Sequence, residues 1–438
     1  MTTYNPAKGQ RWVARMMLLD SADPLAGASL LGVPTLYWER PLAQEAVAGW
    51  GEAAVMEARS AAEASEVLGT LASQVEIRWL GEAPMWLPGP WFGGMRFAAT
   101  APSDADWEAH GFARWTLPEV LAWRTGNAMA VAAFAPEELG GDDLVRSRLE
   151  RVHASFPAGY RHAQGGPVAL KLSSSREDFK ARVEHALEAI TAGRFQKVVM
   201  ARAVEAEGAR PFDLVDVLAR LREQNPRCVT FLFRTPAGLA FLGSTPETLC
   251  RVEGRVLETE ALAGSAAPGQ AEGLDGRDKE RREHDSVVRY IVAALRSIAK
   301  HVTADAAPAL LTLRNVVHLR TGIRAELHEG VTAAQVVGAL HPTPAVGGVP
   351  REHSLGFLHE NEALDRGWYA GPVGWIGATR AHMVVALRSA LVRGSHARLF
   401  VGAGIVQGSS SEAEWRETEI KSLAMLRALG GGDVQREP

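Results

Sequence analysis

Two pairs of carboxylates, Glu280 with Glu283 and Glu414 with Glu417, are each spaced three residues apart. On a helix that spacing projects both groups from one face, and Lys421 continues the second face one turn later. Two such helices facing each other can offer the few carboxylate oxygens that a hard cation such as Mg²⁺ takes alongside waters and substrate oxygens. The same spacing also describes an ordinary solvated face. Three further ionisable groups sit in strand-like apolar contexts: Lys197 in KVVMA, Glu247 after GSTP, and Arg388 in VVALRSAL. Burying unpaired charge is costly, so the three together weigh more than each alone. A lysine with apolar neighbours loses its proton more readily and can act as a general base; a snorkelling lysine at a sheet margin is the commoner use. Glu247 reads as a buried acid or as a turn carboxylate.

Two other features invite chemistry and have plainer readings. His341 opens HPTPAVGG, a rigid loop in which a lone histidine is more often structural. GAGIVQG at 402–408 lies between a strand and a helix, where a dinucleotide fold would cradle a pyrophosphate. No strand with a ribose-binding acid follows that helix, so a tight strand-to-helix turn is the simpler account. There is no HExxH, Walker or GxSxG pattern.

The elements that must position these groups follow from periodicity. Ser174 or Ser175 can cap a helix bearing Phe179, Val183, Leu187 and Ile190. A strand is expected over 195–204, then a helix with Leu214, Val217, Leu218 and Leu221 that stops near Pro226. Strands follow at 228–234, 239–243 and 248–260, a charged helix at 277–300, strands at 383–393 and 397–406, and a helix from 411 to 429 closed by Gly430–Gly432. Strands in runs with helices between them favour an α+β sandwich over a regular βαβ wind.

Composition narrows the classes. The 438 residues carry 47 basic and 51 acidic side chains, a formal charge of −4, which is too small and of the wrong sign for wrapping nucleic acid. Two cysteines exclude a disulfide scaffold and suit a reducing cytoplasm. No window approaches the ~20 apolar residues of a membrane span, and no secretory signal opens the chain. The expected location is cytoplasmic. Most of the tryptophans precede residue 124, and Pro157–Pro167 reads as a connector or as a loop within one large domain.

Taken in order, eight segments resemble the chorismate-utilising enzymes, which include the isochorismate, salicylate, anthranilate and aminodeoxychorismate synthases. They are FQKVVMAR (195–202), GSTPETL (243–249), ETEALAGSA (258–266), REHDSVV (282–288), HPTPAVGGVPR (341–351), DRGWYAGPVGW (365–375), VALRSAL (385–391) and VGAGIVQGSSSEAEWRETEIK (401–421). The resemblance runs from about 174 to 429, with a weaker echo in GPWFGGMRF at 89–97. Within the family it points to the isochorismate-forming members. Those that add water carry lysine at the position of Lys197, where the ammonia-using anthranilate enzymes generally have glutamine. Ala345 stands where enzymes that go on to eliminate pyruvate usually have threonine.

The resemblance implies a large α/β sandwich of two β-sheets flanked by helices, of the anthranilate synthase component I type. Residues 1–165 would form an N-terminal part integrated with the core, and 166–438 the chorismate-binding catalytic region. It implies Lys197 as the base that activates water and Glu247 as the acid that protonates the departing hydroxyl. Glu283 and Glu417, with Glu280 and Glu414 nearby, would hold Mg²⁺ against the ring carboxylate. Arg388 and Tyr369 would take the second carboxylate, with Gly264, Ser265 and Gly402 adding backbone amides. Lys421 would balance the carboxylates, while His341 and Ala345 would line the ring pocket. Chorismate is the implied substrate, in a monomer or homodimer needing no partner protein. Menaquinone synthesis is the favoured destination, with catechol siderophore or salicylate synthesis, or a salicylate or anthranilate synthase, as the alternative. Where relatives carry an acidic Asp–Gly stretch, IGATRAHM is expected to form a hairpin turn.

Overall fold

The computed structural model describes residues 10–430 apart from 21–22, 85–86, 88, 99–103, 158, 161–169, 174, 267–268, 270–271, 277 and 363. Most of the Pro157–Pro167 connector, Trp86, Ser174 and Gly431–Gly432 therefore lie outside the described residues.

A period of two decides which way each strand faces. In Ala128–Pro136, Ala130, Ala132 and Phe134 enter one core, while Val131, Ala133 and Ala135 enter another. Phe231 and Phe233 likewise face the first core, and Leu232 the second. Strands buried on both faces require cover on both sides. A second sheet covers the more aromatic face. Helices Gly141–Ser155, Leu214–Gln224 and Ser411–Gly430 cover the other, through Val145, Leu218 and Leu426 among others. The described residues thus form an α+β sandwich of a thirteen-stranded and a ten-stranded sheet, as the family resemblance implies. Both sheets draw on strands from early in the chain. Leu36–Arg40 pairs with Val229–Arg234 in the large sheet, and Trp91–Met95 pairs with Pro372–Ile376 in the smaller one.

Capping fixes several helix starts where expected. Ser175 accepts from the Asp178 amide at the head of Arg176–Thr191, and Asp213 caps Leu214–Gln224 by accepting from Val215 and Asp216. The IGATRAHM hairpin forms, with the Gly377 amide bonded to the Arg380 carbonyl between two antiparallel strands.

Three expected elements differ, and the turn expected within GAGIVQG comes later, after the strand expected at 397–406. The charged helix runs Asp278–Leu295 and gives way to a strand at Ala299–Ala304. The run at 248–260 splits at Gly254, whose φ of 58° turns Thr248–Glu253 back against Val256–Ala266. Within GAGIVQG, residues 402–406 belong to the strand His396–Val406, and the turn comes at Gly408, φ 89°. Most consequential, 383–393 is two strands in different sheets. Arg380–Val385 belongs to the smaller sheet and Ser389–Arg393 to the larger. The apolar run VVALRSALV holds no glycine or proline to mark the break. Arg388 makes it, with a left-handed φ of 48° that costs a non-glycine residue about 1–3 kcal/mol.

Trp107 helps tie the layers together. Fully buried, it meets Phe241 and Phe400 of the large sheet at ring distances of 5.2 and 5.6 Å and lies directly over Gly367, where a Cβ would strike its ring. Trp107→Ala is expected to lower stability by about 3–5 kcal/mol, read as a shift of the urea unfolding midpoint.

Candidate active site

A chain that crosses from one sheet to the other leaves both ladders for a few residues. Two such crossovers lie side by side. Thr245-Pro246-Glu247 joins Ala240–Thr245 of the large sheet to Thr248–Glu253 of the small one, and Ala386-Leu387-Arg388 makes the return. Each satisfies the other's backbone. The Thr245 hydroxyl donates to the Val385 carbonyl at 2.6 Å, the Val385 amide to the Glu247 carbonyl at 3.0 Å, and the Ser244 amide to the Arg388 carbonyl at 3.2 Å. Glu247 and Arg388 are thereby delivered to one cleft of about 1010 Å³, its solvent-open mouth included.

The two carboxylate-bearing helices wall this cleft. Glu280 and Glu283 line it from Asp278–Leu295, and Glu414 and Glu417 from Ser411–Gly430. The first helix is pinned to the smaller sheet by the His284 ring, whose Nδ1 donates to the Ala263 carbonyl and whose Nε2 lies 2.7 Å from the Thr321 hydroxyl. Beside it the strand bulges at Gly264, φ 72°, which brings the Ser265 hydroxyl to 3.3 Å from Glu417. Lys421, one turn beyond Glu417, pairs with it at 2.7 Å and donates to the Gly402 carbonyl at 2.9 Å. Four carboxylates meeting in one cleft form an oxygen donor set. No three His, Cys, Asp or Glu among the described residues converge closely enough to chelate an ion by themselves. The chemistry still fits Mg²⁺, which is commonly held by one or two carboxylates and keeps several waters.

Ala345, Tyr369, Gly264, Ser265, Gly402, Arg388 and Lys421 also line the cleft. Tyr369 stacks on Phe400, ring centroids 5.4 Å apart, and burial pushes its phenol well above the usual range. Two expected residues are placed differently. His341 is buried outside the cleft lining and donates from Nε2 to the Phe97 carbonyl at 2.9 Å; burial pushes it down to about 4, so it stays a neutral structural group. Lys197 stands just behind the wall, 3 % exposed, with Nζ 2.7 Å from Glu283 Oε1. It reaches the cleft side over Gly404, where a Cβ would come 3.1 Å from both Lys197 Cε and Glu283 Oε1.

Sequence reading missed two cleft residues. His318 accepts from Arg388 Nη2 at 3.2 Å, and the Gly264 carbonyl accepts its other proton. Burial, then the charges of Arg388 and Lys421, keep His318 neutral. Arg366, within a quoted motif, forms a buried pair with Glu362 and donates to the Val199 and Val346 carbonyls at 2.6 and 3.0 Å. A histidine in a strand and an arginine four residues after a glutamate carry no signal of their own.

Charge is unevenly disposed. Burial, then the negative charge of Glu260, push the Glu247 carboxyl up to about 8, so it is protonated at neutral pH. Burial lowers Arg388, and among the described residues no carboxylate pairs with it. The cleft therefore presents a proton donor, an uncompensated guanidinium and a carboxylate cluster balanced by lysines.

Comparison with known proteins accords with this layout. A family model for chorismate-binding enzymes matches residues 4–430. The salicylate biosynthesis isochorismate synthase of Pseudomonas aeruginosa is 33% identical, covering 98% of this chain and 95% of its own length. Isochorismate synthase MenF of Bacillus subtilis is 30% identical over 94% and 92%. Among solved structures, the menaquinone-specific isochorismate synthase MenF of Escherichia coli aligns with a TM-score of 0.78 at 27% identity, covering 97% of this chain and 96% of that one. Anthranilate synthase component I of Streptococcus pneumoniae shares the fold, with a TM-score of 0.73 at 19% identity over 87% and 92%.

The raised Glu247 carboxyl has a thermodynamic signature. In the unfolded chain it titrates near 4.5, in the folded protein near 8. Between those values the folded state holds a proton that the unfolded state has released, so this group's contribution to stability falls as pH rises from 4.5 to 8. Glu247→Gln cannot titrate. Its stability relative to the parent is expected to climb by a few kcal/mol across that window, at most about 1.4 kcal/mol per pH unit, measured by urea unfolding at stepped pH.

Proposed function

The chain belongs to the chorismate-binding enzyme family, and on that premise we propose that it converts chorismate to isochorismate. Water adds to ring carbon C2, the C4 hydroxyl leaves, and the two ring double bonds shift between them. The observation that carries this reading is Glu247, a buried carboxyl that keeps its proton at neutral pH in a cleft shared with Arg388. A hydroxyl is a poor leaving group until it receives a proton, and an acid with a pKa near the working pH supplies one most effectively.

The remaining roles follow from position. Lys197 takes a proton from the attacking water once its own proton, held against Glu283 at 2.7 Å, has been given up. Arg388 offers the planar fork that suits a carboxylate, and the Tyr369 hydroxyl a second donor, for the enolpyruvyl arm. Amides around Gly264, Ser265 and Gly402 serve the same dianion without adding charge. Glu283 and Glu417, with Glu280 and Glu414 beside them, would hold Mg²⁺, which when bound supplies positive charge for the ring carboxylate. Ala345 leaves that part of the wall apolar, which supports release at isochorismate rather than onward loss of pyruvate. Full-length structural likeness to a menaquinone-specific relative supports menaquinone synthesis as the destination. Complementation of a menaquinone-deficient strain tests it, against rescue of a salicylate-deficient one only.

Purified protein given chorismate and Mg²⁺ is expected to yield isochorismate on product separation. Salicylate plus pyruvate as main products, or no turnover, would overturn the reading. Chelation should abolish turnover and Mg²⁺ restore it. Lys197→Ala and Glu247→Gln should each lower kcat by about 10²–10⁴ while retaining the fold by circular dichroism. The parent's rate should decline above pH about 8, as Glu247 loses the proton it donates.

A further inference from the structure

A second cavity of about 1070 Å³, its open mouth included, adjoins the cleft on the far side of the Lys197–Glu283 pair. Lys197, Arg282, Glu283, Ser286, Val349 and Val406 are among its walls. Glu283 faces both spaces, whereas Lys197 lines only the second. The partition is thin at one point. Gly404 lines the cleft, and the missing side chain there leaves Lys197 Cε and Glu283 Oε1 each 3.1 Å from where a Cβ would stand. Arg282 and Arg289 are exposed on this cavity's walls and have no ion-pair partner among the described residues. Walls so rich in charged and hydroxyl groups hold water rather than exclude it.

Lys197 is reached from solvent through this second cavity and not through the cleft, whose lining does not include it. We propose that the second cavity is the solvent entrance for the reaction, delivering the attacking water to Lys197 from behind the substrate. The inference rests on the reading of Lys197 as the base. In the step it serves, the water oxygen bonds to C2 and its proton passes to Lys197 and out through the same cavity. The C4–O bond breaks, and the proton of Glu247 completes the departing water.

Narrowing the entrance tests this. Ser286→Trp and Val406→Trp place an indole in the second cavity from two different walls, without touching the cleft. Each is expected to lower kcat at least tenfold with KM for chorismate within twofold of the parent. Ser286→Ala, which also loses the hydroxyl bonded to the Glu283 carbonyl, should keep the parental kcat. Thermal melts identify either tryptophan variant that fails to fold, in which case the other is read. A kcat within twofold of the parent in the folded tryptophan variants, or a KM that rises as kcat falls, would overturn the entrance. Absence of turnover in the parent would instead overturn the isochorismate reading itself, so the two failures are separable.

Discussion

The site depends on the need of a two-sheet chain to cross between its layers. A strand can satisfy its backbone within a ladder, but a crossover cannot, and buried amides and carbonyls without partners are costly. Here two crossovers run together and satisfy each other: Thr245 and Glu247 bond to Val385, and Ser244 bonds to Arg388. That mutual support forces the side chains at both crossings into the seam between the sheets. Glu247 and Arg388 face one cleft because the backbone there has few other ways to be paired. The left-handed conformation of Arg388 is tolerated by the same arrangement.

Desolvation then sorts the charges. At the seam, burial holds Glu247 protonated and His318 neutral. Toward the helices, Glu283 and Glu417 are balanced by Lys197 and Lys421 at 2.7 Å each. The neutral His318 can accept from Arg388, so the guanidinium is oriented without being neutralised. It remains free to meet an anionic substrate. At the cleft wall, the buried Arg366–Glu362 pair joins the Lys197 strand at Val199 and Ala201 to the HPTPAVGG loop at Val346. Removing one partner of such a pair would leave an uncompensated charge, so it acts as a rivet holding the site's two walls in register.

Glycine has a limited but specific part in this. At Gly264 the left-handed φ makes the bulge that carries Ser265 to Glu417. At Gly404 the missing side chain lets the Lys197 amine and Glu283 meet at the edge of the cleft. The glycine pattern that resembled a nucleotide cradle therefore serves close packing inside a strand, not a turn over a phosphate.

What the sequence determined by itself was local and chemical. The i, i+3 carboxylates on two helices, the capped helix at Ser175 and the ionisable residues set in apolar runs follow from spacing and residue type, which survive any rearrangement of neighbours. Ordered motifs carried the family, and with it the sandwich. Only tertiary structure decided that 383–393 is two strands, because an uninterrupted apolar run is compatible with one long strand until a second sheet competes for half of it. Only tertiary structure separated His341 from the cleft and admitted His318, since a histidine's surroundings come from distant segments: Phe97 for the one, Arg388 and Gly264 for the other. The position of Lys197, at a thin wall between two cavities, was equally invisible in KVVMA. Periodicity says which face a side chain takes. What lies beyond that face is set by packing between elements far apart in the chain.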